Sequence, residues 1–254
     1  SELIKKLPNL KIIANYGVGY DAVDVDQATL SNVKVTNTPD VLNDEVADTA
    51  VALTLCVYKN ISSANNFLLE KKWLKSEFPL SKKFSGTKFG ILGMGRIGKT
   101  IAKRIEAFNC EICYHSRNEK DVKYKFFSKL EELAEYVDTL CVITPGGEET
   151  KHLVNSNILQ KLGKNGFLIN IARGSVIDQK ALIHALQNNI ICGAGLDVFE
   201  NEPNVPDNLM KLDNVILTPH IGSATVETRY DMGKLVYDNV VKMLTTNSTI
   251  SPVN

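Results

Sequence analysis

The sequence predicts an α/β fold: one complete domain built on a doubly wound parallel sheet, inserted into a second, smaller and discontinuous one. Three observations carry that expectation. Between residues 86 and 220, short apolar runs alternate with amphipathic helical stretches, the βαβ rhythm of a parallel sheet covered on both faces. The first of those runs ends in glycines and opens directly into a helix. The two ends of the chain hold only a pair of short apolar runs and a few helical stretches, too little to bury a core of ordinary size.

Taken in order, "LKIIANY" (10–16) and "VKVT" (33–36) are short strands flanking a small helix, "AVDVDQATLS". One long helical segment, "DEVADTAVALTLCVYKNISSANNFLLEKKW", leads into the inserted domain. There "TKFGILGMG" is a strand, and "RIGKTIAKRIEAFN" is a helix with Ile97, Ile101, Ile105 and Phe108 on one face. "CEICYH" is the next strand, "SKLEELAEYV" a helix, and "DTLCVIT" and "GFLINIA" strands. "DQKALIHALQNN" is a helix capped by Asp178, and "ICGAGLDVF" and "NVILTPH" are further strands. "ETRYDMGKLVYDNVVKML" is a final helix that returns to the first segment. The expected domains are therefore residues 1–45 with 225–254, and residues 46–224. The small size of the discontinuous domain suggests missing N-terminal residues, with which a targeting segment could also have gone.

Bulk properties restrict the function classes. The chain has 254 residues, 44% apolar and 23% charged, an ordinary globular composition. Its 29 basic and 29 acidic residues balance, which argues against a nucleic-acid binder. No apolar run approaches the ~20 residues needed to span a bilayer, and no membrane partner is expected. Five cysteines, at 56, 110, 113, 141 and 192, fit reduced thiols and a cytoplasmic protein. Cys110 and Cys113 have CxxC spacing, but Cys113 sits beside Ile112 in an apolar strand and reads better as a small hydrophobe. The widely spaced histidines and cysteines form no metal motif. His152 and His184 fall in helical stretches without a motif, so neither is assigned any chemistry.

Gly93-Met94-Gly95-Arg96-Ile97-Gly98 matches GxGxxG between a strand and a helix. In that context the first glycine permits a tight turn, the second lets backbone approach a pyrophosphate, and the third lets helix pack on strand. The helix N-terminus then offers free N–H groups and partial positive charge to phosphates. Gly93, Gly95, Arg96, Ile97 and Gly98 are thus the expected phosphate-binding residues. Three more segments end strands on the same side of such a sheet: "NIARGSVID" with Arg173, "LDVFENEP" with Asp197, Glu200 and Glu202, and "LTPHIGSAT" with His220.

With those motifs, in that order and spacing, the chain resembles the D-isomer-specific 2-hydroxyacid dehydrogenase family over essentially its whole length. The resemblance implies a Rossmann nucleotide domain inserted in a flavodoxin-like substrate domain, with substrate in the cleft between them. It implies that His220 is the general acid/base toward the substrate carbonyl oxygen, and that Glu202 is its partner, whose charge stabilises the imidazolium. Arg173 would bind the 2-oxo acid and polarise its carbonyl. "YGVGYDAVD" resembles the substrate loop, with backbone N–H groups of Val18 and Gly19 meeting the substrate carboxylate. Thr144, Pro145, Ile171, Ala172, Asp197, His220 and Gly222 would line the nicotinamide and ribose. A homodimer is also implied, through the nucleotide domain and the helix near residues 45 to 70.

Cofactor choice turns on "YHSRN" (114–118). Relatives that use NAD place an acid after the second strand to bind the ribose hydroxyls. Here His115 is followed by Ser116 and Arg117, which suit a 2′-phosphate: Arg pairs with it, and Ser donates a hydrogen bond. NADP(H) is therefore the expected cofactor, with NAD(H) possible. The same segment, with "ITPGGEET" and "GLDVFENEPNVP", resembles the glyoxylate/hydroxypyruvate reductase branch, implying a small 2-oxo or 2-hydroxy acid as substrate. Two alternatives stay open: a hydroxyphenylpyruvate reductase, and a non-catalytic nucleotide sensor like the corepressors built on this scaffold.

Overall fold

The structure is a computed structural model, described for residues 2–254. The chain divides into two compact units: residues up to Glu45 together with Ser223–Asn254, and residues Val46–Gly222.

In chain order the smaller unit holds α1 (Glu2–Lys5), β1 (Ile12–Ala14), α2 (Val25–Leu30) and β2 (Lys34–Thr36). β1 and β2 pair in parallel, with Ile13 opposite Val35. Asp24 caps α2 by accepting the Gln27 N–H at 2.8 Å, satisfying one of the helix's free donors. Ile4, Ala28, Val33 and Val35 form a small core, to which Leu10, Ile13, Val23 and Val253 add.

The larger unit is a seven-stranded, wholly parallel sheet. After α3 (Asn43–Lys59) and α4 (Ile61–Leu69) come β3 (Lys88–Leu92), α5 (Arg96–Glu106), β4 (Glu111–His115), β5 (Lys125–Phe127) and α6 (Leu130–Tyr136). β6 (Thr139–Val142), α7 (Ser156–Leu162), β7 (Phe167–Asn170), α8 (Gln179–Gln187), β8 (Gly193–Leu196), α9 (Asp207–Met210) and β9 (Val215–Leu217) complete it. The chain then returns to the smaller unit as α10 (Val226–Thr246), capped by Thr225. The strand order is β5-β4-β3-β6-β7-β8-β9. Winding therefore reverses between β3 and β6, and the crevice outside their carboxyl ends is where doubly wound sheets bind ligands.

Burial of β3, β6 and β7 on both faces explains their unbroken apolar runs. Ile91, Leu92, Leu140, Val142, Leu168 and Ile169 are all buried, each worth about 1.5–3 kcal/mol relative to exposure. β8 reads "GAGL" for a different reason. A Cβ on Gly195 would lie 3.0 Å from Leu53 Cβ, and one on Gly193 would lie 3.0 Å from Val57 Cγ2, so the two glycines let α3 lie directly on the strand. Tyr58 of α3 stacks on Phe167 at 3.9 Å between ring centroids, and its hydroxyl meets that of Thr139 at 2.9 Å. Burial pushes the Tyr58 phenol up to about 12.

The long helical segment expected near residues 44–73 is interrupted. Asn60 takes a left-handed conformation (φ 52°) and divides it into α3 and α4. A side-chain amide tolerates that region better than most residues, so the break costs little. The six strands expected from residue 87 onward are all in the observed sheet, to which β5 adds an unexpected seventh at one edge, and Asp178 caps α8 by accepting the Ala181 N–H at 3.0 Å.

Candidate functional site

At the reversal point each glycine of residues 93–98 has its own reason. Gly93 has φ 111°, and a Cβ there would meet the Ile143 carbonyl at 2.9 Å. A Cβ on Gly98 would lie 2.1 Å from the Gly93 carbonyl oxygen, so α5 could not close onto the turn. Around Gly95 a Cβ would meet nothing within 4 Å. No packing within the protein requires that glycine; its bare backbone faces open space at the N-cap of α5, which lacks a side-chain cap. A pyrophosphate fits such a cradle. Thr144, at the end of β6 beside Gly93, has a buried hydroxyl without a hydrogen-bond partner among the described residues. An orphaned donor beside the glycine turn also fits a polar ligand.

The segment after β4 is differently furnished. His115 Nδ1 donates to the Phe127 carbonyl at 2.9 Å, tying the strand end to β5. Ser116 donates to the Asn118 carbonyl at 2.6 Å, which tightens the loop. Arg117 pairs with Glu149 at 3.2 Å, both side chains more than four-fifths exposed. A pair so solvated is worth at most about 1 kcal/mol and yields readily to a stronger anion.

Around His220 the geometry is tighter. Nδ1 of His220 lies 2.8 Å from Glu202 Oε2, while Glu202 Oε1 accepts the Phe199 N–H at 2.9 Å. Both carboxylate oxygens are thus directed, and with the imidazole donating from Nδ1, Nε2 is left for proton exchange. His220 itself has φ 54°, a left-handed conformation that costs a non-glycine residue of order 1 kcal/mol or more. Asp197 holds it there. That buried carboxylate accepts Thr218 Oγ1 at 2.6 Å and the N–H groups of Ile221 and Gly222 at 2.8 Å each; its carbonyl accepts the His220 N–H at 2.9 Å. Asp197 and Gly222, expected at the cofactor, are therefore engaged first with each other, shaping the loop that carries the histidine.

Arg173 follows β7 in a turn braced by Asn170, whose side chain accepts the Ala172 N–H and donates to the Arg173 carbonyl, both at 3.0 Å. Its neighbour Gly174 packs against the Phe199–Glu200 peptide so closely that a Cβ would fall 1.8 Å from the Phe199 carbonyl carbon. The arginine's segment and the loop bearing Glu202 are thereby joined. Ile171 and Ala172 are buried at the same strand end, and Pro145 follows Thr144, its carbonyl accepting the Thr150 hydroxyl at 2.8 Å.

Val18 and Gly19 belong to the smaller unit. Neither of their N–H groups makes a hydrogen bond among the described residues. Around them Asn15 donates to the carbonyls of Gly17 and Gly19 at 3.0 Å each.

One residue assignment changes. His152 is not helical: it sits in a turn with φ 51° and reaches Glu200 Oε1 through Nε2 at 2.7 Å. A partner 48 residues away left no local signal. His184 is in α8 as expected, its Nδ1 accepting from the Asn188 side-chain amide one turn on at 3.1 Å. All five cysteines are free, and burial pushes the Cys113 thiol up to about 11, in keeping with an inert apolar filler. Among the described residues no group of His, Cys, Asp or Glu could hold a metal ion, and no helix is long and apolar enough to cross a membrane.

A nucleotide-type parallel sheet with an imidazole–carboxylate pair and an arginine at successive strand ends defines a class of oxidoreductase, and comparison with known proteins gives its family. The model for "D-isomer specific 2-hydroxyacid dehydrogenase, NAD binding domain" matches residues 51–222. Glyoxylate/hydroxypyruvate reductase A of Arabidopsis thaliana is 45% identical over 254 residues, covering all of this chain and 81% of that protein. Hydroxyphenylpyruvate reductase of Plectranthus scutellarioides is 44% identical over the same span, with the same coverage. The crystal structure of an NADPH-dependent glyoxylate/hydroxypyruvate reductase from Sinorhizobium meliloti, in complex with NADP and malonate, superposes with a TM-score of 0.96. It is 47% identical, with 99% of this chain and 80% of that one covered. The chain belongs to the D-isomer specific 2-hydroxyacid dehydrogenase family.

Proposed function

We propose that this chain reduces a small 2-oxo acid of the glyoxylate/hydroxypyruvate type to its D-2-hydroxy acid, with NADPH preferred over NADH. The observation that carries the reading is the His220–Glu202 pair, in which both carboxylate oxygens are engaged and Nε2 of the imidazole is left over. In this reading the larger unit, with residues 46–224 as its domain, holds the nucleotide; residues 1–45 and 225–254 hold the substrate. Gly93, Gly95, Arg96, Ile97 and Gly98 cradle the pyrophosphate, and Ser116 and Arg117 take the 2′-phosphate. Thr144, Pro145, Ile171, Ala172, Asp197 and Gly222 surround the nicotinamide end.

A dihydronicotinamide held by these residues would supply the hydride for the carbonyl carbon. Everything else falls to the chain. The N–H groups of Val18 and Gly19 bind the substrate carboxylate. Arg173 pairs with the 2-oxo acid and draws electron density toward its carbonyl oxygen. His220, as imidazolium, gives its Nε2 proton to that oxygen as it becomes alkoxide, and Glu202 stabilises the cation before transfer. The reverse reaction uses the same imidazole as base.

NADPH oxidation followed with glyoxylate, hydroxypyruvate and hydroxyphenylpyruvate tests the reaction; turnover of none of them, with nucleotide still bound, would refute it. The Plectranthus relative favours keeping the third substrate in the panel. Cofactor choice is read from kcat/KM with NADPH and NADH. A preference for NADH overturns that part, and Arg117→Asp should move the ratio toward NADH. Exposed Leu68, Leu69, Trp73, Leu74 and Leu80 lie on and just after α4, an apolar surface that supports a homodimer through this region. Light scattering of the purified chain measures it. Five free thiols support a reducing, cytoplasmic setting.

A further inference from the structure

We propose that Asn15 is the positioning residue of the substrate-carboxylate loop: its carboxamide holds the Gly17 carbonyl, which shares a peptide with the Val18 N–H, and the Gly19 carbonyl just beyond the Gly19 N–H, so that the turn keeps both N–H groups available to an anion. This rests on the functional reading above.

Three successive carbonyls in this loop are each held by a side-chain amide. Asn15 Nδ2 donates one hydrogen to Gly17 O and the other to Gly19 O, both at 3.0 Å, and Asn37 Nδ2 donates to Val18 O at 2.9 Å. Gly17 O also accepts the Thr38 N–H at 3.0 Å. A peptide unit that presents its carbonyl to one partner presents the N–H on its opposite edge. Fixing the carbonyls therefore fixes where the amides point, and successive free N–H groups form an anion-binding concavity. The same donors draw off the negative charge of the carbonyl oxygens, which would otherwise repel a carboxylate.

Asn37 is itself held. Its carbonyl accepts the Ser251 hydroxyl at 2.7 Å and its N–H donates to Ser251 O at 3.4 Å. Ser251 N–H and Ile250 N–H both donate to Asn239 Oδ1, at 3.1 and 2.8 Å, and that asparagine is wholly buried in α10. The loop conformation is thus tied through Asn37 to the C-terminal tail. Gly17, at φ 154°, allows the chain to enter the turn.

The test is Asn15→Asp, nearly isosteric but facing two carbonyl oxygens with acceptors only. KM for glyoxylate should rise tenfold or more, with kcat falling less and the Kd for NADPH unchanged. Asn15→Gln, which keeps the NH2 group, should recover part of the loss. A second readout does not need turnover: malonate titrated into the NADP-bound protein should shift the Val18 and Gly19 amide resonances. Asn15→Asp should weaken that titration at least tenfold. An unchanged KM and an unchanged malonate titration in a folded Asn15→Asp protein would overturn the proposal. So would equal loss in the Gln and Asp variants. Malonate binding at these amides without turnover of any 2-oxo acid would instead refute the reductase reading and leave the role of Asn15 standing.

Discussion

Two imidazole–carboxylate pairs sit in the larger unit, His220 with Glu202 at 2.8 Å and His152 with Glu200 at 2.7 Å. In exposure they are similar: both glutamates are 35% exposed, and the histidines 49% and 39%. Both histidines have positive φ. What separates them is the surrounding bonding. Glu202 is held on its second oxygen by the Phe199 N–H, and His220 is carried on a loop pinned by buried Asp197. The pairs also use opposite ring nitrogens, Nδ1 in His220 and Nε2 in His152. His220 therefore turns its far nitrogen away from the partner, whereas His152 spends its own on bridging two loops. A short contact between imidazole and carboxylate does not define a general acid; the direction of the remaining nitrogen and the rigidity of the support are what favour His220 over His152 in the role proposed above.

The comparison is most easily broken by replacing each histidine in turn. His220→Gln should lower kcat by on the order of 10²–10⁴-fold while leaving NADPH affinity within a few-fold, because only proton transfer is lost. His152→Gln should change kcat less than threefold. Steady-state kinetics of the two variants decide it: comparable losses would mean that His152 participates directly. Glu202→Gln and Glu200→Gln should repeat the contrast at smaller amplitude, since each removes charge support and not the proton donor.

Asp197 sharpens the point about support. Asp197→Ala removes a buried carboxylate that is the acceptor of the Gly222 N–H in a buried place and of the Ile221 N–H and the Thr218 hydroxyl in half-buried ones. At about 1–3 kcal/mol for each group left unsatisfied, partly relieved by relaxation, the loss should be roughly 3 kcal/mol. That corresponds to a fall in Tm of about 10 °C for a unit of this size. Activity should fall further than the unfolded fraction explains, since His220 loses the loop that keeps it at positive φ. Calorimetry beside kinetics at a temperature well below the transition distinguishes the two effects.

The same pairs show what the sequence made legible. His220 and Glu202 stand in runs whose spacing and strand-end position could be read directly, as could the sheet and the glycine turn, because they depend on local pattern. His152 and Glu200 meet across 48 residues, and the sequence suggested a helix where there is a turn. Asn15 and Asn37 lie beside a glycine loop that the sequence marks, yet their hold on its carbonyls depends on side-chain direction, which no periodicity encodes. Likewise, the break at Asn60 and the three-residue edge strand β5 leave weak local signals: a tolerated left-handed residue and a short run flanked by lysines.

The smallest expected effect is the energy of the His152–Glu200 pair itself. With both groups more than a third exposed, water and salt compete for each charge, so the coupling should not exceed about 1 kcal/mol. A double-mutant cycle with His152→Asn and Glu200→Gln, measured by urea unfolding, isolates it from changes each variant makes alone. The backbone join nearby predicts why the value stays low: Gly174 already locks the Arg173 segment onto the Phe199–Glu200 peptide, so the pair adds little to a junction held by packing. A coupling well above that value would mean that the pair, and not the glycine contact, joins these loops. In that case Glu200→Gln should also disturb the placement of Glu202, and its kcat should fall toward that of Glu202→Gln.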